Sequence, residues 1–170
     1  MTATRERSPA TAALSGLTVR LVDTEREFAG VLEVRRRVFF DEQGLVGMGV
    51  TDRDDARSVH VVATLGDTVI GSARLTPSVG QPRAAQIAWV ATLADYRGRG
   101  VGTAMMQRLL EAADETGLTD VTLSAQTHAL DFYRRLGFTP YGRRFAVTGI
   151  EHQMMARSRP RTDDRPTPVR

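Results

Sequence analysis

The sequence predicts a mixed α/β fold, and three observations carry that prediction. The first half holds short strand-like runs, including a hairpin of Val59–Leu65 and Thr68–Leu75 around Gly66-Asp67. The second half alternates strand and helix: the apolar run Ile87–Leu93, a helix from about Val101, a strand Asp120–Gln126, and a short helix Ala129–Phe138. Between the halves lies Arg97-Gly98-Arg99-Gly100-Val101-Gly102, a basic loop with three glycines joining a strand to a helix.

Each element has its own local signal. Residues 1–16 are rich in Ala, Thr and Ser and are expected to be a mobile segment ahead of one domain at 17–155. Leu17–Val22 alternates as a half-buried strand does. Thr24-Glu25-Arg26-Glu27 reads as a capping box, and Phe28, Val31, Leu32 and Val38 mark one helix face. Gly44–Arg57 is a glycine-rich loop, and Pro77–Pro82 is a turn into the strand at Gln86–Leu93. The helix after the basic loop carries Val101, Met105, Leu109 and Ala112 at helical spacing and stops at Gly117. Thr148–Met155 closes the domain as a strand, and no segment repeats.

Composition excludes several function classes. The chain has 170 residues, no cysteine and no lysine, which removes disulfides, thiolate metal sites, cysteine nucleophiles and Schiff-base chemistry of the usual kind. No apolar stretch approaches the ~20 residues that span a bilayer, and the N-terminus lacks a secretory apolar region, so a soluble cytoplasmic protein is the expectation. The net charge of +3 sits wholly in residues 156–170, where five arginines face two aspartates among three prolines. That tail is expected to be disordered, and no aromatic residues interleave its arginines to stack on bases. Nucleic acid and membrane are therefore not expected partners. Three dispersed histidines, His60, His128 and His152, do not suggest a metal site.

The basic loop suits an anion. A helix N-terminus leaves backbone N–H groups unpaired, and glycines let the backbone approach a ligand closely. A dinucleotide fingerprint needs G-x-G-x-x-G and a P-loop needs Gly-Lys-Ser/Thr; the glycines here run G-x-G-x-G without lysine. What remains is R-x-x-G-x-G, read as Arg97, Gly100 and Gly102. This resembles the coenzyme A pyrophosphate loop of the GNAT N-acetyltransferase superfamily. Ala129-x-x-Phe132-Tyr133-x-x-Leu136-Gly137-Phe138 resembles that superfamily's last helix, Thr148–Met155 resembles the closing strand of its ElaA-like branch, and Arg37–Gly44 resembles that branch's R-x-x-V-F-x-x-E-Q-G signature. The resemblance covers roughly residues 17–155 and implies a mostly antiparallel central sheet with flanking helices and a splayed strand pair that binds the cofactor.

It also implies an activity: transfer of an acetyl group from acetyl-coenzyme A to a primary amine of a small molecule or peptide, directly in a ternary complex. Four tasks follow from that chemistry: a pyrophosphate cradle, a thioester dock, a base and an acid. The cradle falls to Arg97, Gly98, Arg99, Gly100, Val101, Gly102 and Thr103, working mainly through backbone N–H groups, and the resemblance gives the dock to the backbone of Val90, Ala91 and Thr92. Gln126 completes the expected cofactor-binding set. Tyr133 is the expected acid; the alternative is a core tyrosine with a satisfied hydroxyl. His152 is the expected base, since an imidazole accepts protons near neutrality and glyphosate-acetylating relatives use a histidine on the matching strand. The alternative is a strand histidine bonded to backbone or solvent.

The chain also departs from its relatives. Many superfamily members place a glutamate base on the fourth strand, where this chain has Ala88-Trp89. Positions that carry arginines in glyphosate-type enzymes hold Phe40, Ala88 and Gln126, so a phosphate-bearing acceptor is not expected. Trp89 reads as the floor of a pocket for an apolar or aromatic acceptor, or as core packing. Asp52, Asp54 and Asp55 fail the calcium-loop pattern and read as a solvated loop or as a rim attracting an amine. A non-catalytic acyl-coenzyme A sensing module is the alternative function, and a homodimer, common among relatives, stays open.

Overall fold

The structure, a computed structural model, describes residues 14–159. The expected mobile segment before residue 14 and the expected disordered tail after residue 159 lie outside the described residues. Seven strands form one sheet: β1 Leu17–Leu21, β2 Val59–Leu65, β3 Thr68–Pro77, β4 Ala84–Thr92, β5 Asp120–Gln126, β6 Thr139–Val147 and β7 Ile150–Ser158. Their order across the sheet is β1-β2-β3-β4-β5-β7-β6. Every neighbouring pair is antiparallel except β4 with β5. Three helices flank it: α1 Glu25–Arg35, α2 Val101–Glu115 and α3 Leu130–Arg135.

α1 starts where the capping box places it. Thr24 Oγ1 accepts from the Glu27 N–H at 3.2 Å, and the Glu27 carboxylate accepts from the N–H groups of Asp23 and Thr24 at 2.8 and 3.2 Å. Its buried face differs from the expected one: Val31 and Val34 are buried with the Arg35 side chain, whereas Phe28 and Leu32 are half-buried at a separate groove. Past Arg35 the helix widens into a π-helical turn, Arg36–Glu42, in which the Gln43 N–H reaches back five residues to the Val38 carbonyl at 3.2 Å. Such turns rotate the following side chains out of α-helical phase. Here the turn brings Phe39, Glu42 and Gln43 to the lining of one cavity.

The core lies between α2 and the sheet. Met105, Met106 and Leu109 of α2 are fully buried in one cluster with Ile70, Leu75, Ile87 and Leu123. Each such side chain contributes about 1.5–3 kcal/mol through burial. The predicted α2, the hairpin and the strands from Gln86 and Asp120 stand where expected. β6 was not foreseen, because most of its residues are exposed and its sequence TPYGRRFAV carries no apolar alternation.

β7 is longer at its carboxyl end than the strand expected over Thr148–Met155, because Asp120 pairs with Ser158 and the Arg159 N–H donates to the Thr119 carbonyl at 3.0 Å. Leu14 packs against the core ahead of β1.

Candidate active site

The site is made by two strands parting. β4 and β5 pair in parallel from Ala84↔Asp120 to Ile87↔Leu123, and the pairing ends there. On the other edge, the β3–β4 register slips between Arg74↔Ala88 and Ser72↔Ala91, so Trp89 and Val90 together face one residue of β3. A bulge bends its strand. Trp89 takes the extra turn with φ +56°, a left-handed conformation that costs a bulky residue about 1–2 kcal/mol. Beyond Ile87 the β5-facing edge of β4 has no strand partner among the described residues, which leaves backbone groups able to pair with an extended ligand.

Three cavities open along the parting and share walls. One of about 450 Å³ lies along Val90–Thr92 and the glycine loop, bordered by Phe132 and Arg135 of α3. A second, about 330 Å³, sits in the wedge between β4 and β5. The third, about 320 Å³, continues from it past Trp89 and His152. Val90, Ala91, Thr92, Arg97, Gly98, Gly100, Val101, Gly102 and Thr103 all line the first cavity. Arg99 does not. Gln126 lines the second and third cavities and donates to Gln43 Oε1 at 2.9 Å, so its side chain belongs to the junction and not to the loop groove.

At the loop, Gly100 caps α2 with φ +84°, and no side chain caps the helix. The first-turn N–H groups are therefore free toward the groove, at the positive end of the helix. The Arg97 side chain turns to Glu42 and Thr92. Its two terminal nitrogens bind the Glu42 carboxylate at 2.6 and 2.7 Å, and Nε donates to the Thr92 carbonyl at 2.9 Å. The hydrogen bond from Arg97 holds the Glu42 carboxyl below its usual range. The groove beside the loop is thus faced mainly by backbone.

Tyr133 and His152 both line the central cavity. Tyr133 is buried, set edge-on to Phe132 and Phe138 at 4.9 and 6.2 Å, and its hydroxyl makes no hydrogen bond among the described residues. Burial pushes its phenol up to about 12. His152 Nδ1 lies 2.8 Å from the Ile150 carbonyl. A carbonyl only accepts, so Nδ1 carries a proton, and the neutral imidazole then has its lone pair on Nε2. Phe145 stacks on the imidazole at 5.9 Å. His128 reaches the same cavity from an exposed position, whereas His60 is buried away from it.

The acidic loop is solvated at Asp52 and Asp54, whereas the Asp55 side chain is largely buried, and Asp52 and Asp55 both pair with arginines. Asp55 binds Arg35 through two bonds of 3.0 and 3.1 Å and Arg74 at 2.8 Å. Asp52 binds Arg74 at 2.6 Å and accepts from the Trp89 indole N–H at 3.2 Å. Burial pushes the Asp55 carboxyl up, but the bonds from Arg35, the Asp52 N–H and Arg74 outweigh it and bring it to about 2. His60 joins through Nε2, 3.0 Å from the Asp55 carbonyl, which requires a proton there; desolvation holds its pKa below the ordinary value. Trp89 is held between this network and the aromatic wall, with Phe39 edge-on at 5.1 Å and the Arg35 guanidinium 4.9 Å over its ring. Sequence reading missed Arg35 and Arg74. The signals were an arginine inside the otherwise apolar strand Ile70–Leu75, and the arginine three residues before Val38 in the R-x-x-V-F segment.

One parallel strand pair splayed around a cavity, beside a glycine-led helix N-terminus, is the architecture shared with solved acyl-CoA N-acyltransferase structures. Residues 22–138 match the acetyltransferase (GNAT) family, and the chain belongs to it. ElaA of Escherichia coli (strain K12) is 30% identical over 130 residues, 75% of this chain and 84% of that protein. YyaT of Bacillus subtilis (strain 168) is 28% identical over 144 residues, 83% of this chain and 95% of that protein. The solved structure of Escherichia coli ElaA superposes with a TM-score of 0.76 at 26% identity, covering 84% of this chain and 99% of that one. An acyl-CoA N-acyltransferase from Pseudomonas aeruginosa gives a TM-score of 0.73 at 29% identity, covering 84% and 98%. The mixed fold and its splayed, mostly antiparallel sheet are as expected. Among the described residues no helix is long and apolar enough to cross a membrane, and no three His, Cys, Asp or Glu side chains are grouped to hold a metal ion.

Proposed function

We propose that the protein transfers an acetyl group from acetyl-coenzyme A directly to a primary amine. The observation that carries this reading is the shared cavity of His152 and Tyr133, where a proton acceptor and a proton donor meet the free edge of β4. The cosubstrate supplies an activated thioester carbonyl. The residues fit it: free N–H groups at the start of α2 suit a pyrophosphate, and the unpaired β4 edge at Val90–Thr92 suits an extended amide-bearing arm.

The roles divide by protonation. His152 Nε2 takes the proton that the attacking amine must lose, while the Ile150 carbonyl holds the ring in the accepting tautomer. Tyr133 keeps its proton across the physiological range, so it donates to the departing thiolate. The chain has no cysteine or lysine to carry the acyl group, which favours a single direct step. Thiol release from acetyl-coenzyme A across an amine panel tests the reading, free of thiol background from the protein. Release with one amine class supports the enzyme. A protein that binds acetyl-coenzyme A normally but turns over no amine, with His152→Ala indistinguishable from wild type, would instead be a sensing module.

A further inference from the structure

Resting on the acetyltransferase reading, we propose that the acceptor is a primary amine whose remaining body is aromatic and carries no second charge. The third cavity is where the acceptor must enter, because it shares His152 and Trp89 with the central one and does not touch the glycine loop. Its apolar walls include Phe39, Leu45, Met48, Trp89 and Ile150, and its polar ones are amides, hydroxyls and the His152 imidazole. Neither a carboxylate nor a guanidinium lines it.

Nearby charges are already spent on each other. The Glu42 carboxylate is closed by Arg97, and Asp52 and Asp55 are closed by Arg74 and Arg35. Gln43 and Gln126 bond to one another across the junction. An ammonium or carboxylate on the acceptor body would therefore lose its hydration and gain no partner. An aromatic ring loses nothing by the same transfer and meets the face formed by Trp89 and Phe39.

Size narrows the class further. About 320 Å³ stands at the lower end of the range of about 300–1,000 Å³ for small-ligand sites. Met48 lines the cavity yet is 54% exposed, so its flexible thioether forms an apolar rim at the mouth. A single ring with a short amine-bearing arm fits these walls, and a polyamine or an amino acid does not.

The test compares three amines in the thiol-release assay on the full chain: 2-phenylethylamine, phenylalanine and spermidine. Phenylalanine adds only a carboxylate to the first, and spermidine replaces the ring with further cations. The expected kcat/KM for 2-phenylethylamine exceeds each of the others by about 30-fold or more, the discrimination of an uncompensated buried charge. Gln86→Glu, which places a carboxylate on the cavity wall, should raise turnover of spermidine several-fold. Comparable or better turnover of phenylalanine or spermidine by the wild type overturns the substrate class alone. So does activity confined to peptide N-termini, or silence with all three amines while calorimetry shows acetyl-coenzyme A bound. Failure to bind acetyl-coenzyme A removes the acetyltransferase reading, and the substrate class falls with it.

Discussion

The Arg97 guanidinium grips the Glu42 carboxylate through two bonds of 2.6 and 2.7 Å, joining the glycine loop to the widened turn after α1. The two residues are walls of one cavity, fifty-five positions apart in sequence. Both side chains are 43% exposed, so water competes for them and the pair adds little to folding. Glu42→Gln should change stability by less than about 1 kcal/mol. It should also release the Arg97 charge toward the groove, so KM for acetyl-coenzyme A should stay level or fall. Denaturant titration and initial rates check both; a rise in KM would show that the pair, and not free Arg97, shapes the groove.

His152 offers a cleaner separation of roles. Its Nδ1 proton is committed to the Ile150 carbonyl, which leaves Nε2 as the only ring acceptor. His152→Ala should lower kcat by about 10²–10⁴ while acetyl-coenzyme A still binds. Added imidazole should restore part of the rate. A variant that keeps most of its kcat would reassign the base to water.

Tyr133 is predicted to act by its hydroxyl and not by its ring. Tyr133→Phe preserves the edge-on packing with Phe132 and Phe138, so the fold should be little affected. Turnover should fall about 10- to 1,000-fold. Because burial holds the phenol protonated up to about 12, no loss of rate below about pH 10 should trace to this group. A basic limb near pH 9 that vanishes in Tyr133→Phe would contradict the assignment.

What the sequence discloses and what it hides divide by distance along the chain. The capping box at Thr24, the Gly66-Asp67 hairpin and the α2 stripe are local patterns, and each stands in the structure where it reads. The loop from Arg97 is local too, and the resemblance carried it to a family. The acidic loop is read only in part, because Asp55 looks as solvated as its neighbours until Arg35 and Arg74 arrive from other elements. Trp89 is the sharpest case: a left-handed bulge at a bulky residue follows from tertiary contacts that no window of sequence contains.

The two glycines at the start of α2 should respond differently to the same substitution. Gly100 has open space for a methyl group, but its φ of +84° puts about 1–2 kcal/mol of strain on any alanine there. At Gly102 a Cβ would meet Phe132 Cζ at 3.3 Å, pressing α2 away from α3 beside the groove. Both Gly→Ala variants should raise KM for acetyl-coenzyme A with a smaller effect on kcat. Gly102→Ala should be rescued in part by Phe132→Leu, which removes the opposing ring atom, whereas Gly100→Ala should not. Equal rescue of both would show that backbone strain is not the issue at Gly100.

The buried network makes stability depend on acid in a defined direction. Asp55 has a folded-state value of about 2 against an ordinary 3.8, so it releases its proton more readily folded than unfolded. The native state then binds fewer protons, and the group stabilises the fold by about 2 kcal/mol at neutral pH. That contribution is complete above about pH 5 and fades as pH falls toward 2. Asp55→Asn removes it at every pH and leaves the fully buried Arg35 side chain short of its counter-charge, which costs about 3–5 kcal/mol in all. Urea titrations should therefore show the widest gap between wild type and variant near neutrality, narrowing below about pH 4. Trp89 hangs on the same network through Asp52, so the variant should also lose preference among acceptors before it loses acetyl-coenzyme A binding. A gap that stays constant down to pH 3 would mean that Asp55 holds the loop by shape and not by charge.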